Sequence, residues 1–238
     1  MNIALIGYGK MGKAIEEIAL HRGHSVVLKI DEFNQDEFNP DNLKNADVAI
    51  EFTGPHSAFR NLQQLLEWGV PTLCGSTGWT AKLDEIISLA RERNGTFLYA
   101  SNFSVGVNIF FELNKKLAAL MAPHKDYEVI LEETHHTQKK DAPSGTAITL
   151  AEQVLEHVKR KKQWVNELSD NPEDLEIISQ RIDPAPGTHS VKYSSAVDDI
   201  EIIHTAHNRK GFALGAVLAA EYIRDRTGIF SMKEVLGV

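Results

Sequence analysis

Apolar residues in the first hundred positions alternate between two arrangements. Short, near-continuous runs at 2–6, 25–30, 48–53, 71–74 and 96–100 read as strands buried on both faces. The segments between them, at 13–21, 57–68 and 83–91, carry apolar residues at helical spacing; Phe59, Leu62, Leu65 and Leu66 form one such stripe. Asn94-Gly95 breaks the last of these helices. Strand and helix in repeated alternation predict a parallel sheet with helices on both faces.

The pattern changes after residue 104. A long helix is expected at 107–121, a strand at 127–133 and a helix at 145–161. Three strand candidates follow with no helix between them, at 176–182, 190–197 and 200–206. The turn Pro184-Ala185-Pro186-Gly187 separates the first two. Strands in succession predict a mixed or antiparallel sheet, and therefore a second, α+β domain. An apolar helix at 212–224 is expected to pack back on the first domain. The expected organisation is one domain from residues 1–104 and 209–238 and another from 105–208, with no low-complexity linker at the boundary.

Charge narrows the partners. With 25 basic against 33 acidic residues the net charge is -8, and no basic stripe offers a nucleic-acid surface. The one basic run, Lys159-Arg160-Lys161-Lys162, ends an expected helix, where cations suit the dipole, and reads as a solvated helix end. The single cysteine, Cys74, excludes an intrachain disulfide and suits a reducing compartment. No stretch approaches the ~18 apolar residues of a membrane span, and residues 1–7 are too short for a signal-peptide core. A cytoplasmic protein with no membrane partner is expected.

Gly7-Tyr8-Gly9-Lys10-Met11-Gly12 follows the first expected strand and opens the first helix. In G-x-G-x-x-G one glycine makes the turn, one lets backbone approach a pyrophosphate, and one lets helix and strand pack closely; the helix N-terminus adds N–H groups and a positive dipole end. Asp31 ends the second strand, where a carboxylate can bind an adenosine ribose. A glycine turn that merely packs is the plainer alternative, but its position between strand and helix, with an acid after strand two, favours a dinucleotide site in a Rossmann-type doubly wound sheet. Asp31 and Glu32 together would repel a 2′-phosphate, at about 4 kcal/mol per close pair before screening. NADH is therefore expected as the preferred cofactor and NADPH as an accepted one, with Lys10 softening the bias.

The second polar constellation reads Glu133-Thr134-His135-His136-Thr137-Gln138-Lys139-Lys140-Asp141-Ala142-Pro143-Ser144-Gly145-Thr146-Ala147. It is expected on a loop between a strand and a helix. Ser144 suits an N-cap, and the helix start at Ser144-Gly145-Thr146 offers unpaired N–H groups to an anion. Beside it, His135, His136, Lys139 and Lys140 would suit a substrate with carboxylates, and histidine titrates where a proton donor should. Asp141 either orients Lys139 or caps the turn. Adjacent histidines are poor ligands of one ion, and no third ligand stands at a familiar spacing, so no metal is expected.

This segment resembles the signature of the 4-hydroxy-tetrahydrodipicolinate reductases, E-x-H-H-x-x-K-x-D-x-P-S-G-T-A, at each defined position. Three further segments resemble the same family: the glycine loop, Ser101-Asn102-Phe103-Ser104-Val105-Gly106-Val107-Asn108, and Gly228-Ile229-Phe230-Ser231-Met232-Lys233-Glu234-Val235-Leu236-Gly237. The resemblance spans the chain, which is shorter than many members and lacks some of their surface loops. It implies an acid/base role for His135, a catalytic lysine in Lys139, and binding of a dicarboxylate by His136, Lys139, Ser144, Gly145 and Thr146, with Arg209 a further substrate contact. It places Thr53, Gly75-Ser76-Thr77 and Ser101-Asn102-Phe103-Ser104 along the nicotinamide. It implies a homotetramer built through the second domain's sheet.

The expected reaction is hydride transfer from nicotinamide to an unsaturated ring, with a proton from Lys139 or His135, inside a crevice closed to water. Two other readings share the glycine loop. An amino-acid dehydrogenase of the same build leaves the whole histidine–lysine segment unexplained, and a non-catalytic dinucleotide sensor has no use for it.

Overall fold

Both faces of the first strand, β1 (Asn2–Ile6), are buried. Ile3 and Leu5 join one apolar cluster and Ala4 and Ile6 another, which is why the run lacks a polar alternate. The computed structural model describes residues 1–208 and 210–238. They form two units, one of Met1–Val105 with the C-terminal segment from Lys210 onward, the other Gly106–Asn208.

In the first unit, β1 is flanked by β2 (Ser25–Ile30) and β3 (Val48–Glu51); β4 (Thr72–Cys74), β5 (Thr96–Tyr99) and β11 (Gly228–Phe230) follow outward from β3. All five pairings are parallel. Helices α1 (Lys10–His21) and α7 (Lys210–Ile223) cover one face, through Ile15 and Ala19 of α1 and the small residues Ala213, Ala216, Ala219 and Ala220 of α7. The other face carries α2 (Pro40–Leu43), α3 (Ala58–Glu67) and α4 (Leu83–Glu92). Helix α7 lies so close to the chain leaving β5 that a Cβ on Gly215 would stand 1.6 Å from the Phe103 carbonyl oxygen. The short C-terminal helix α8 (Met232–Leu236) starts with a capping box of Ser231 and Glu234.

The second unit begins within α5 (Val105–Met121). Its sheet runs β10 (Asp199–Thr205), β9 (Thr188–Ser194), β6 (Glu128–His135), β8 (Asp174–Arg181), β7 (Gln163–Val165). Pairings on the β9 side are antiparallel and those on the β8 side parallel, so the sheet is mixed. Helices α5 and α6 (Gly145–His157) pack on one face against Val129, Leu131, Leu175, Ile177, Val191 and Tyr193.

Several boundaries depart from the sequence reading, and those nearest the polar segments matter most. β6 continues to His135 and β9 begins at Thr188, while residues 195–198 form a turn in which Ser195 accepts from Val197 and Asp198 N–H. The three-residue strands β7 and β11 are too short to give a periodic signal. The basic run is not a solvated helix end: α6 stops at His157, and Lys161 is buried, donating to the Pro172 carbonyl at 2.9 Å and pairing with Glu128 at 2.8 Å. Arg160 donates to the carbonyls of Ala122 and Tyr127.

Candidate functional site

The first unit opens a cavity of about 580 Å³ at the carboxyl ends of β1, β2 and β3, lined by the glycine loop and residues including Lys13, Asp31, Glu32, Thr53 and Ser57. Its volume is in the range of small-ligand sites. Gly7 has φ +103, and a Cβ there would stand 2.2 Å from the Phe52 carbonyl oxygen; one on Gly12 would stand 2.5 Å from that of Gly7. A Cβ on Gly9 would meet nothing within 4 Å, so this glycine faces open space at the N-cap of α1. Turn, close helix packing and an open N-terminal cradle are the three things a pyrophosphate needs here. The residues fit a dinucleotide.

Asp31 follows β2 directly and accepts the Phe33 N–H at 2.8 Å; its own N–H donates to Asn34. Thr53 is tied to Glu51, a fully buried carboxylate that accepts both the Thr53 N–H (3.1 Å) and its hydroxyl. Glu51 also lies 3.2 Å from Cys74 Sγ, and burial, then the charge of Glu51, pushes that thiol far up, so Cys74 stays protonated. The cation lining the cavity is Lys13, whereas Lys10 is not part of its lining. Tyr8 and Met11 have apolar neighbours in the core, and Tyr8 hydrogen-bonds to Glu16, which pairs with Lys29 at 2.5 Å.

Gly75-Ser76-Thr77 follow β4 and Ser101-Asn102-Phe103-Ser104 follow β5, at the carboxyl ends of parallel strands. Gly75 abuts the Phe52 ring, where a Cβ would come within 2.2 Å. Ser76 Oγ is buried with no hydrogen-bond partner among the described residues. Phe103 is turned into the core, its ring centroid 5.6 Å from that of Phe52, and Asn102 accepts the Ser104 N–H at 2.8 Å.

In the second unit, sheet register builds a polar cluster. Glu133 on β6 stands opposite Ser179 on β8 and His189 on β9, and His135 stands opposite Arg181. Period-two alternation puts Glu133 and His189 on the same face as Leu131, Val191 and Tyr193, under the start of α6. Glu133 is 1% exposed. It accepts from Ser144 N–H at 3.1 and 3.2 Å, Ser179 Oγ at 2.8 Å and Arg181 Nη2 at 3.1 Å. Burial alone would raise its ionisation range, but hydrogen bonds from His135, His189, Ser144 and Ser179 outweigh burial and hold the carboxyl well below the usual carboxylate range.

His135 Nε2 lies 3.2 Å from His189 Nε2 and 3.4 Å from Glu133 Oε2. Burial, and then the charges of His135 and Lys139, push His189 down against the opposing pull of Glu133. Lys139 Nζ is held by both Asp141 oxygens at 2.8 Å, and the Asp141 carbonyl accepts from Arg181. Asp141 does orient Lys139. Half-buried His136 accepts the Lys139 N–H at its carbonyl and adds positive potential at Asp183, which anchors Thr137. Ser144 is the N-cap of α6, accepting the Ala147 N–H at 3.2 Å, with exposed Gly145 and half-buried Thr146 in the first turn. Arg209 lies outside the described residues.

The structure thus brings His135 and the start of α6 together around two residues to which sequence reasoning gave no role, Glu133 and His189. The expected loop begins as strand, so His135 is held by a ladder. Starting β9 at Ser190 had left His189 outside it; the alternation His189, Val191, Tyr193 was the signal. Glu133, His135 and His189 also offer three ligating atoms within 4.8 Å of one another, close enough for a metal ion. Their hydrogen bonding disfavours one. A metal-bound histidine hands its second ring N–H to an acceptor, whereas His189 Nδ1 is buried with no partner among the described residues, and Glu133 is already engaged by Arg181.

Two family models match the chain: "Dihydrodipicolinate reductase, N-terminus" over residues 1–103 and "Dihydrodipicolinate reductase, C-terminus" over residues 106–236. A 4-hydroxy-tetrahydrodipicolinate reductase from Christiangramia forsetii is 50% identical over 237 residues, 99% of this chain and 98% of the relative. One from Methanoregula boonei is 35% identical over 82% of this chain and 76% of its own length. Among solved structures, a dipicolinate-bound dihydrodipicolinate reductase from Paenisporosarcina sp. TG-14 shares the fold with a TM-score of 0.78, at 23% identity and 98% coverage of both chains.

Proposed function

The chain belongs to the dihydrodipicolinate reductase family, and from that premise we propose the following chemistry. It is an NAD(P)H-dependent oxidoreductase that reduces 4-hydroxy-tetrahydrodipicolinate, in its dehydrated form, to tetrahydrodipicolinate in lysine and diaminopimelate biosynthesis. The observation that carries the site assignment is the family signature folded into one place, with His135 on a strand end, Lys139 in a carboxylate clamp, and Ser144-Gly145-Thr146 at a helix start.

When bound, the nicotinamide supplies the hydride. The glycine loop and the start of α1 hold the pyrophosphate, and Asp31 accepts the ribose hydroxyls. Thr53, fixed by Glu51, and the loops at Gly75-Ser76-Thr77 and Ser101-Asn102-Phe103-Ser104 orient the nicotinamide; buried Phe103 acts there through its backbone. The first-turn N–H groups of α6 have no intrahelical partner and take a substrate carboxylate, aided by His136, Lys139 and Arg209. His135 or Lys139 delivers the proton to the ring atom where negative charge develops.

NADH is the preferred cofactor on this reading, because Asp31 and Glu32 both line the cavity with, among the described residues, a single lysine, Lys13, against them. NADPH is accepted with lower efficiency. The chain assembles as a homotetramer through the second unit's sheet; half-exposed Ile200 and Ile203 on the edge strand β10 support that. A cytoplasmic location is supported by the free, buried Cys74 and by the absence, among the described residues, of any helix long and apolar enough to cross a membrane. Family membership argues against the sensor and the amino-acid dehydrogenase readings.

The test is oxidation of NADH and of NADPH with freshly prepared 4-hydroxy-tetrahydrodipicolinate. Substrate-dependent oxidation, faster with NADH at equal concentration, is expected. No oxidation by protein that binds NADH would overturn the reaction, and a clear preference for NADPH would overturn the reading of Asp31 and Glu32.

A further inference from the structure

The first unit buries a carboxylate that holding a loop does not fully explain. Glu51 ends β3, is 0% exposed, and lies just before Phe52 and Thr53, which line the nucleotide cavity. Its Oε1 accepts the Thr53 N–H at 3.1 Å, the Thr53 hydroxyl, and the amide of Asn61 on α3 at 3.4 Å. Its Oε2 accepts the Cys74 S–H across 3.2 Å. The Thr53 hydroxyl itself accepts from Ser57 Oγ at 2.9 Å, which leaves its proton for Glu51. Both oxygens are thus acceptors, the role of a carboxylate and not of a carboxylic acid. Among the described residues these partners are all neutral, whereas Glu133 has Arg181. Burying a carboxylate without a cation is costly, and neutral donors offset that cost only in part. A glutamine could accept the Thr53 bonds at lower cost, so hydrogen bonding alone does not account for the charge.

Its place on the sheet edge supplies a use. The strand order reverses between β1 and β3, where a dinucleotide crosses the carboxyl edge of such a sheet. Asp31 follows β2 and the glycine loop follows β1, so the β3–β4 side is left for the nicotinamide half. Glu51 stands at that crossing. It is opposite Ile6 on β1 and Cys74 on β4, and its carbonyl accepts the Gly75 N–H at 3.0 Å. We propose that Glu51 is the counter-charge of the oxidised nicotinamide. A reduced nicotinamide ring is neutral. Once a hydride, one proton with two electrons, has left it for the substrate ring, it carries one positive charge. A carboxylate fixed in the protein before that step favours the charged ring without having to reorganise. Thr53, Asn61 and Cys74 keep it from turning away, and it is surrounded by protein, so its field is weakly screened. The inference rests on the reading of this cavity as an NAD(P)H site.

The test is the affinity of the full-length protein for NADH and for NAD+, each titrated calorimetrically in the absence of substrate. Glu51→Gln keeps the shape of the side chain and an acceptor for Thr53 but removes the charge. It is expected to raise the ratio of the NAD+ to the NADH dissociation constant about 10-fold over the parent, the scale of one charge acting through a partly shielded interior. Glu51→Asp keeps the charge on a shorter arm and gives up hydrogen bonds. Both affinities are expected to fall in that variant while their ratio stays within about threefold of the parent, because the charge remains. A Glu51→Gln protein with the parental ratio would overturn the proposal, whether both affinities fall together or neither does, since Glu51 then only ties the loops. So would a Glu51→Asp protein whose ratio rises as far as is expected for glutamine, and this arm holds even if Glu51→Gln does not fold. A parent that binds neither nucleotide would overturn the reading of the cavity itself and this inference with it, whereas an unchanged ratio in a parent and variants that bind both overturns only the inference.

Discussion

The most informative single residue is Glu133. It lies in the family signature, yet its neighbours could not be read from the chain, because Ser179, Arg181 and His189 reach it only through the register of β6 with β8 and β9. His135, Lys139 and Ser144 were legible because their spacing along one segment survives into the fold. His189 was not, since a lone histidine before a strand gives no sign that an acid will face it. The Glu133 carboxyl has a folded ionisation range below its ordinary value of 4.5. Its contribution to stability is therefore complete above that value and is lost as the pH falls below it toward the lower folded value. Glu133→Gln should cost roughly 2 kcal/mol or more at neutral pH, because buried donors and the Arg181 charge lose their acceptor. The gap from the parent should narrow below pH ~4.5, the ordinary carboxylate range. Denaturant unfolding at several pH values checks this, and a gap that stays constant into acid would contradict it.

Elements were read well where an apolar run or a periodicity marked them and poorly where a short strand carried neither. β1 and β2 were legible end to end because both are short runs rich in apolar residues, although only β1 is buried on both faces; β2 is an edge strand with Ser25, Val27 and Lys29 exposed. β7 and β11 were not legible, and the basic run misled because Lys161 is buried by satisfying a carbonyl and a carboxylate rather than by being apolar. Helix α7 shows what local pattern hides: its alanines and Gly215 look unremarkable, yet they let the helix sit against Phe103. Gly215→Ala places a methyl group on a backbone oxygen that cannot swing away. It should destabilise the protein by about 3 kcal/mol, at the upper end of ordinary overpacking, seen as a lowered thermal midpoint. An unchanged midpoint would mean that α7 shifts freely.

At the scale of the whole chain, alternating strands and helices predicted the doubly wound sheet, and the loss of alternation predicted the mixed one. Which strand neighbours which was not in the pattern, since pairing order depends on crossovers that leave no local trace. Each unit has its own core, and the residues proposed for nucleotide binding and for acid–base chemistry fall in different units. Lys139→Ala should therefore lower kcat by about 100-fold, the scale of a lost acid–base group, and leave the dissociation constant for NADH unchanged within about twofold. Nucleotide fluorescence titration beside the turnover assay would expose a loss of both.

The first unit takes its outer strand β11 and the covering helix α7 from the end of the chain, after the second unit has been made. On the ribosome, where domains tend to fold in order of emergence, this one cannot do so. A nascent chain that has reached Asn208 holds every residue of the second unit, while the sheet begun at β1 still lacks α7 over the part of one face that α1 does not cover. The nucleotide half begins before the second unit and is completed after it, and until α7 has emerged that uncovered surface is what a chaperone would find.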